Sequence, residues 1–315
     1  MMSATAVTAP PAPVVDLGVD LGGVHLTNPV MPASGCFGPE LAGVIDVDGL
    51  GAMVTKTVFD QQRAGNPAHR LTETAHGMLN SVGIPSPGSA GFRSGLLRDY
   101  QACGTRLIVS IGGLYTDEYY DITGALADET LDAFELNISC PNLEHDGLPI
   151  GASPERAHEV ITGVKAIVDK PLFIKLTPTV ASIAEIAAAC EDAGAAAVVV
   201  SNSYPGLAID IASRTSVLGN GAGGYTGPAV KPLALKLVHD AAGAVSIPVI
   251  GCGGVATAGD VLEFLIAGAG AVQVGTATFT RPTAMNDIIN ELPEVCARYG
   301  ITALHEVIGS LEMPH

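Results

Sequence analysis

Asn137, Cys140 and Asn142 lie close together in the segment NISCPN, directly after the largely apolar segment AFEL. Cysteine has a reference pKa near ~8.5 and abstracts protons when it is held against a substrate. Asparagine offers donors and an acceptor, which suits a planar ring with alternating C=O and N–H groups. The spacing therefore predicts a pocket in which Cys140 is a base. Elsewhere a free cysteine is usually a small buried hydrophobe, and we assign that role to Cys190 and Cys252.

Two of the six lysines interrupt apolar runs: Lys56 in AMVTKTV and Lys175 in PLFIKLTP. A buried lysine without a partner is costly, and an anionic or electron-rich ligand, such as a carboxylate or a reduced flavin, compensates that cost. Each lysine can instead reach past the end of its strand to water or to a carboxylate. Because two lysines occupy equivalent positions, the sequence favours a ligand.

Two glycine-rich segments near the C-terminus are typical of phosphate binding: Gly251–Val255 (GCGGV) and Val274–Thr276 (VGT). Loops after the last two strands of an eight-stranded α/β barrel often hold a phosphate through backbone N–H groups. Tight turns that need glycine only for their dihedral angles are the alternative. A Rossmann fingerprint is a third interpretation, since Gly251–Ala256 reads G-x-G-x-x-A, but the next strand carries no acidic residue. Gly223–Pro228 is another glycine-rich turn that enters a helix.

The elements that position these residues alternate between short apolar runs and longer helical patterns, which predicts a parallel sheet with crossover helices. The number of predicted strands closes a (β/α)8 TIM barrel, whose active sites form at the C-terminal ends of the strands. These strands are Pro29–Ala33, Ala52–Val58, Arg106–Ile111, Ala133–Ile138, Pro171–Leu176, Ala196–Ser201, Pro248–Gly251 and Ala271–Gly275. The predicted helices include Ser153–Asp169, Ser182–Gly194, Pro228–Ala242, Thr257–Ala267 and Thr283–Tyr299.

A short N-terminal β-hairpin is predicted before the first barrel strand, where it plugs the bottom of the barrel. It pairs Leu17–Leu21 with Val24–Thr27 across the turn Gly22-Gly23, a recognised hairpin signal. The segments Phe59–Ser89 and Asn202–Gly227 are longer than ordinary βα loops. Long βα loops of this kind are expected over the active site.

Composition excludes several classes of function. The chain has 315 residues, 48% of them hydrophobic, and a formal net charge of −17. So acidic a chain is not expected to bind nucleic acid or anionic membranes, and its charge favours solubility. Its six cysteines form no C-x-x-C pair, which argues against a disulfide framework or a metal site and favours a cytoplasmic location. Residues 1–13 are predicted to be a disordered tail without a signal peptide, and residues 14–315 a single barrel domain with no membrane span.

In combination, these motifs resemble those of the class 1 dihydroorotate dehydrogenases, and most closely the class 1B catalytic subunit. The resemblance extends from NPVMPASG (Asn28–Gly35) to VGTA (Val274–Ala277), and its specific motifs are GNPAHR, GMLNSVGIPSPG, ELNISCPN, KLTP, GGYTGPAVKP and GCGGV. The segment GMLN (Gly77–Asn80) is similar to class 1B, whereas class 1A is the fumarate-using type. Cys140 matches the base that marks class 1, where the membrane-bound class 2 carries serine.

The resemblance implies roles for three sets of residues. The catalytic residues are Cys140, Lys56 and Lys175. The implied contacts to flavin mononucleotide (FMN) are Ser34, Lys56, Thr57, Ser110, Asn137, Lys175, Ser201, Gly227, Gly253, Gly254, Gly275 and Thr276. The implied contacts to dihydroorotate are Lys56, Asn80, Ser81, Val82, Gly83, Ile84, Asn137, Asn142, Asn202 and Ser203. Ser110 replaces an asparagine of related class 1B sequences, so its flavin contact is expected to run through water or to be lost.

The implied reaction is the FMN-dependent oxidation of dihydroorotate to orotate in pyrimidine (UMP) biosynthesis. Cys140 removes the C5 proton while hydride passes from C6 to flavin N5, and Lys175 stabilises negative charge on the reduced flavin. The loop after Asn142, LEHDGLPIGASP, is predicted to act as a lid. Class 1B enzymes pair with a separate subunit that carries FAD and a [2Fe–2S] cluster and passes electrons to NAD+. The resemblance therefore implies a homodimer, alone or bound to two such subunits.

Three other functions remain open from the sequence. A dihydropyrimidine dehydrogenase-like flavoenzyme has a similar barrel but acts on uracil or thymine, which need no contact to a 6-carboxylate. A flavin-free phosphate-binding barrel, such as an aldolase or isomerase, would use Lys56 or Lys175 as a Schiff-base or electrophilic lysine. A non-catalytic barrel with an interaction role is disfavoured by the presence of Cys140, Lys56 and Asn137 together.

Overall fold

The computed structural model describes residues 15–140 and 148–314. The predicted N-terminal tail, Asn142 and part of the predicted lid lie outside the described residues. In chain order, the strands of the described residues are β1 (Val19–Leu21), β2 (Val24–Leu26), β3 (Val30–Pro32), β4 (Ala52–Val54), β5 (Gln62–Arg63), β6 (Leu71–Thr74), β7 (Gly77–Asn80), β8 (Ser86–Pro87), β9 (Arg106–Ile111), β10 (Ala133–Asn137), β11 (Leu172–Lys175), β12 (Ala197–Val200), β13 (Tyr204–Gly206), β14 (Ile209–Asp210), β15 (Thr215–Ser216), β16 (Gly223–Thr226), β17 (Val249–Cys252) and β18 (Ala269–Val274). The α-helices are α1 (Gly88–Gly91), α2 (Leu97–Gln101), α3 (Thr116–Leu126), α4 (Pro154–Lys165), α5 (Ile183–Asp192), α6 (Lys231–Ala242), α7 (Ala258–Ile266), α8 (Ala277–Thr280) and α9 (Ala284–Arg298), and a π-helical segment, Phe92–Leu96, joins α1 to α2.

Eight parallel strands of the described chain form the barrel, in the order β3-β18-β17-β12-β11-β10-β9-β4. The two end strands meet where the backbone N–H of Gly51 donates to the carbonyl of Val30 at 2.9 Å. The side chain of Asn28 supports this seam, because its Nδ2 donates to the Gly49 carbonyl at 2.9 Å and its Oδ1 accepts from the Val30 N–H at 3.1 Å. The sheet is nearly closed, and the predicted (β/α)8 barrel is confirmed.

The hairpin formed by β1 and β2 covers the N-terminal end of the barrel. Gly22 and Gly23 join the two strands with φ values of 57° and 93°, a conformation that favours glycine. Leu21 and Leu26 are fully buried against the inward-facing apolar residues of the barrel strands. Arg106, the first residue of β9, donates through Nε to a hairpin carbonyl at 3.2 Å. The predicted plug is therefore confirmed at the bottom of the barrel.

The outer helices pack their apolar faces against the outer surface of the barrel strands. In α4, the Ser153 side chain accepts from the N–H of Arg156 at the N-terminus, Pro154 is the first helical residue, and Val160 and Val164 are fully buried. The predicted helices all occur, with ends that differ by a few residues, and the structure adds α1, α2, α3 and α8 to that set. Within residues 15–140 and 148–314, no helix has the length and apolar content needed to cross a bilayer.

The two long segments predicted as βα loops contain a sheet of their own. Strands β13, β16, β7 and β6 pair in that order, with Leu79 opposite Tyr225 and Asn80 opposite Gly224. These long βα segments therefore contain regular structure, which their prediction as loops did not include. Strands β7 and β16 belong to different segments, so no local pattern predicts their pairing. The sheet lies beside the C-terminal ends of the barrel strands, because its residues line the same cavity as theirs.

Candidate active site

One cavity at the C-terminal ends of the barrel strands brings most of the predicted site residues together. Those that line it are Ser34, Lys56, Thr57, Asn80, Val82, Gly83, Ile84, Asn137, Lys175, Ser201, Asn202, Ser203, Gly227, Gly253, Gly254, Gly275 and Thr276. Of the other predicted site residues that the structure describes, Ser81, Ser110 and Cys140 do not line the cavity. Their proposed contacts stay predictions, as does that of Asn142, which lies outside the described residues.

Ser81 and Ser110 bind neighbouring protein groups. The Oγ of Ser81 accepts from the side-chain amides of Asn66 at 2.9 Å and Asn220 at 3.2 Å. Ser110 is fully buried, and its Oγ lies 3.0 Å from the Oγ1 of Thr57. Ser110 therefore contacts Thr57, which lines the cavity, and does not itself reach the cavity surface.

The glycine-rich loops after β17 and β18 present free backbone N–H groups. In the described part of the chain, the N–H groups of Gly253, Gly254, Gly275 and Thr276 donate to no protein acceptor. Gly254 has φ +82°, and a Cβ there would lie 2.8 Å from the Cβ of Lys231 and 2.9 Å from its backbone nitrogen. Only glycine fits at this position. Because backbone N–H groups need a partner, this group of donors suits a phosphate.

Lys56 supplies an unpaired cation to the same cavity. It follows β4 and is half-buried, and among the described residues its Nζ makes no hydrogen bond or ion pair. Burial lowers the pKa of Lys56, and Arg70 adds to this effect, whereas Cys36 and Glu40 oppose it. A carboxylate ligand would provide the partner that Lys56 lacks.

Two asparagines of the cavity are held in place by Ser139. The Oγ of Ser139 donates to the Oδ1 of Asn137 at 2.6 Å and accepts from the Nδ2 of Asn202. The Nδ2 of Asn137 also donates to the Oγ1 of Thr57 at 3.3 Å, and the hydroxyl of Tyr119 donates to the Asn137 carbonyl at 2.8 Å. Amides fixed in this way present donors and acceptors to a planar polar ligand in a set geometry.

Cys140 is buried directly after Ser139 in the chain. Burial raises the pKa of its thiol to about 12, and the guanidinium of Arg63 opposes this rise. The Arg63 guanidinium lies 4.5 Å from the centroid of the Phe59 ring, and its Nε has no hydrogen-bond partner within the described residues. Such a thiol is protonated at neutral pH, and its thiolate is a strong base.

Lys175 lies inside the barrel and borders the cavity. Its Nζ donates to the Oε1 of Gln273 at 2.5 Å and to the Sγ of Cys252 at 3.3 Å. Burial by itself lowers the pKa of Lys175, but Cys252 and Glu135 raise it and outweigh burial. The assignment of Cys252 to the buried core was wrong, because Cys252 is half-buried and lines the cavity. Cys190 is fully buried, as predicted.

Sequence reasoning missed the apolar and aromatic wall of the cavity and the thiol of Cys36. Cys36 lines the cavity, although the sequence offers no functional explanation for it. Burial raises the pKa of its thiol to about 12. The wall includes Leu71, Met78, Tyr204, Tyr225 and Phe279. All but Phe279 belong to the sheet of the long βα segments. The pairing of strands from the two long segments brings these four side chains to the cavity, so no nearby sequence signal identifies them.

Comparison with known proteins finds relatives along almost the whole chain. The family model described as dihydroorotate dehydrogenase matches residues 16–296. The chain is 42% identical over 298 residues to the "Dihydroorotate dehydrogenase B (NAD(+)), catalytic subunit" of Alkaliphilus oremlandii. This alignment covers 94% of this chain and 99% of that protein. The protein of the same name from Bacillus pumilus is 43% identical over 296 residues, 93% of this chain and 96% of that protein. The one from Listeria innocua is 42% identical over 294 residues, 92% and 97% of the two chains.

Proposed function

Because the chain belongs to the dihydroorotate dehydrogenase family, we propose that it is a class 1B catalytic subunit that oxidises dihydroorotate to orotate in pyrimidine biosynthesis. One observation carries this function: a single cavity combines free backbone N–H groups, the unpaired Lys56 and the fixed amides of Asn137 and Asn202. The N–H groups suit a phosphate, and the lysine and amides suit a planar ring that bears a carboxylate.

The donor set of the cavity fits FMN. The N–H groups of Gly253, Gly254, Gly275 and Thr276, which we call the phosphate cradle, would hold its phosphate. Lys175 would stabilise negative charge on its ring. Thr57, Asn137 and Ser201 would add polar contacts. When bound, FMN supplies the hydride acceptor of the reaction. Gly254 supports this fit, because a side chain there would collide with Lys231 and crowd the carbonyl oxygen of Gly227.

The residues proposed to act on dihydroorotate have three roles: one binds its carboxylate, several hold its ring amides, and one is the base. Lys56 binds the carboxylate of dihydroorotate. Asn80, Asn137 and Asn202 hold its ring amides, and Ser203, next to Asn202, lies with them on the cavity surface. Cys140 takes the C5 proton on its Sγ, a role supported by its position directly after the Ser139 network and by the strength of a base with a pKa of about 12.

We propose further that electrons pass to NAD+ through a separate subunit that carries FAD and a [2Fe–2S] cluster. The names of the relatives support this, since each is called the catalytic subunit of an NAD(+) enzyme. The six cysteines of this chain are scattered and lack the short spacings typical of iron–sulfur ligation. A homodimer, alone or with two partner subunits, and a cytoplasmic location belong to the same proposal.

An anaerobic visible spectrum of the purified chain tests this function. We expect oxidised-flavin bands that bleach when dihydroorotate is added and that remain when uracil is added instead, because uracil has no carboxylate for Lys56. Bands that persist with dihydroorotate would overturn the substrate. A protein that takes up no FMN, even after reconstitution, would overturn the flavoenzyme. Adding NAD+ to the bleached chain alone should leave it bleached, since NAD+ is proposed to react at the partner subunit.

The variant Gly254→Ala is expected to raise the dissociation constant of FMN by at least about tenfold. An alanine at φ +82° would place its Cβ 2.8 Å from Lys231, and the left-handed conformation alone costs about 1–2 kcal/mol. The loop relieves this strain by shifting, which moves its N–H groups out of the geometry that binds the phosphate. Quenching of flavin fluorescence by the apoprotein measures the affinity. Gly95→Ala is the matched control, because Gly95 is exposed and its Cβ would meet nothing within 4 Å. Equal FMN affinity in Gly254→Ala and Gly95→Ala would argue against the phosphate cradle.

A further inference from the structure

We propose that Glu135 is a positioning residue that acts on the bound flavin through Gln273 and Lys175 and keeps the electron affinity of that flavin low. This inference rests on the proposed function, since it concerns how the FMN site is tuned. It starts from a polar chain in the interior of the barrel whose buried carboxylate the reaction itself does not use.

The chain links three barrel strands. Lys175 on β11 donates through Nζ to the Oε1 of Gln273 on β18 at 2.5 Å, and the Nε2 of Gln273 donates to the Oε2 of Glu135 on β10 at 2.5 Å. All three side chains are buried, with exposed fractions of 3% for Lys175, 1% for Gln273 and 0% for Glu135. Of the three, Lys175 alone reaches the cavity.

The direction of these hydrogen bonds follows from their chemistry. An ammonium group can only donate, so the amide of Gln273 must turn its oxygen toward Lys175. Its NH2 group must then face Glu135, whose Oε2 accepts, as an ionised carboxylate does. The carboxylate and the ammonium therefore polarise one amide from its two ends, and each strengthens the bond of the other.

The second oxygen of Glu135 is the observation from which we assign the carboxylate a role beyond that of a structural acceptor. Its Oε1 is buried and has no hydrogen-bond partner within the described residues. A neutral side-chain amide at this position could accept the one hydrogen bond from Gln273 equally well. A carboxylate oxygen left without a partner in the interior is costly. We therefore ascribe the presence of a carboxylate behind the lysine of the cavity to the effect of its charge on that lysine.

That charge has a definite effect on a flavin next to Lys175. A positive group beside the ring favours the reduced, more negative form, and a carboxylate behind the lysine offsets part of this preference. The flavin is thereby kept a better electron donor. This suits a chain whose electrons are proposed to reach NAD+, a weak oxidant.

The experiment measures the flavin itself and not turnover. Sulfite adds to the flavin ring more tightly when the surroundings are more positive, so its dissociation constant and the flavin midpoint potential both report the local charge. In Glu135→Gln, which keeps shape and size, we expect sulfite to bind about tenfold more tightly, equivalent to a rise of about 30 mV for a two-electron couple. Glu135→Asp, which keeps the charge, should stay close to wild type.

A second variant with the opposite sign keeps the test decisive if Glu135→Gln does not fold. Gln273→Glu places a carboxylate directly against Lys175. Because two carboxylates at hydrogen-bond distance share one proton, the negative charge moves from Glu135 to the position that contacts Lys175, which should weaken sulfite binding several-fold. Glu294→Gln is the control for loss of a distant carboxylate, because Glu294 is exposed and pairs with Arg298; it should change neither reading.

Each outcome separates this inference from the proposed function. Opposite shifts in Glu135→Gln and Gln273→Glu support it. Variants that bind FMN but keep the wild-type sulfite affinity and potential would overturn it, because a purely structural Glu135 would alter stability alone, and the proposed function would stand. A wild-type chain that binds no FMN would overturn both.

Discussion

Replacing Cys140 by alanine will give a protein that still binds FMN but that dihydroorotate reduces about 10²- to 10⁴-fold more slowly, the usual contribution of one acid–base group. The thiol does not line the cavity with the phosphate cradle, so FMN binding should survive its loss. Removal of the C5 proton should not survive this loss. Among the described residues, no other cysteine directly follows Ser139, whose hydroxyl holds Asn137 and Asn202 in place. Anaerobic stopped-flow bleaching of the flavin bands measures this rate.

The pH dependence of the wild-type rate follows from the same thiol. Burial raises the pKa of Cys140 to about 12, and Arg63 opposes the rise. Below this pKa the thiolate fraction grows about tenfold for each pH unit, so bleaching should accelerate as the pH rises from neutral into the alkaline range. The slow residual bleaching of Cys140→Ala should lose this acceleration.

Cys190→Ala is the matched control for this prediction. Cys190 is fully buried on α5, burial raises its pKa to about 12, and it does not line the cavity. We expect this variant to bleach at the wild-type rate with the wild-type pH dependence, although it loses on the order of 1 kcal/mol of stability. If Cys140→Ala bleached as fast as Cys190→Ala, another group would be the base.

The barrel could be predicted because each of its strands is defined by local sequence. The runs that became β9, β10 and β11 are short, apolar and separated by helical patterns, and a parallel strand buried on both faces reads in this way. The polar residues that end such runs, Lys56 and Lys175 among them, could be placed in one cavity for the same reason. In a closed parallel barrel all the strands end at one face.

The parts that could not be predicted depend on contacts between distant segments. The hydrogen bond from the Asn80 side chain to the Gly224 carbonyl joins residues 144 positions apart, and the wall formed by Tyr204 and Tyr225 exists only because their strands pair. Rotamer direction is also absent from the sequence. Ser81 lies in a segment predicted to contact substrate, yet its hydroxyl turns to Asn66 and Asn220.

Replacing Lys56 by methionine is expected to raise the dissociation constant of orotate about 10- to 100-fold, the loss of one charge-assisted hydrogen bond. Lys56 is the group in the cavity whose charge has no partner among the described residues, so its pairing with a ligand carboxylate is not shared with a protein anion. Burial lowers the pKa of Lys56, so this lysine loses its proton, and with it its charge, at a lower pH than an ordinary lysine does. The affinity of the wild type for orotate should therefore begin to fall at that lower alkaline pH. The perturbation of the flavin spectrum by added orotate measures both effects.

Two comparisons isolate the charge contact from a general disturbance of the site. Uracil shares the pyrimidine ring of orotate but lacks its carboxylate, so its weak binding should be the same in wild type and in Lys56→Met. Lys236→Met removes a lysine that is exposed on α6 and bonded to Asp240 at 2.6 Å, and it should bind orotate as wild type does. Orotate affinity that is unchanged in Lys56→Met, or uracil affinity that falls in parallel, would mean that Lys56 does not hold the carboxylate and would reopen the assignment of dihydroorotate over a neutral pyrimidine.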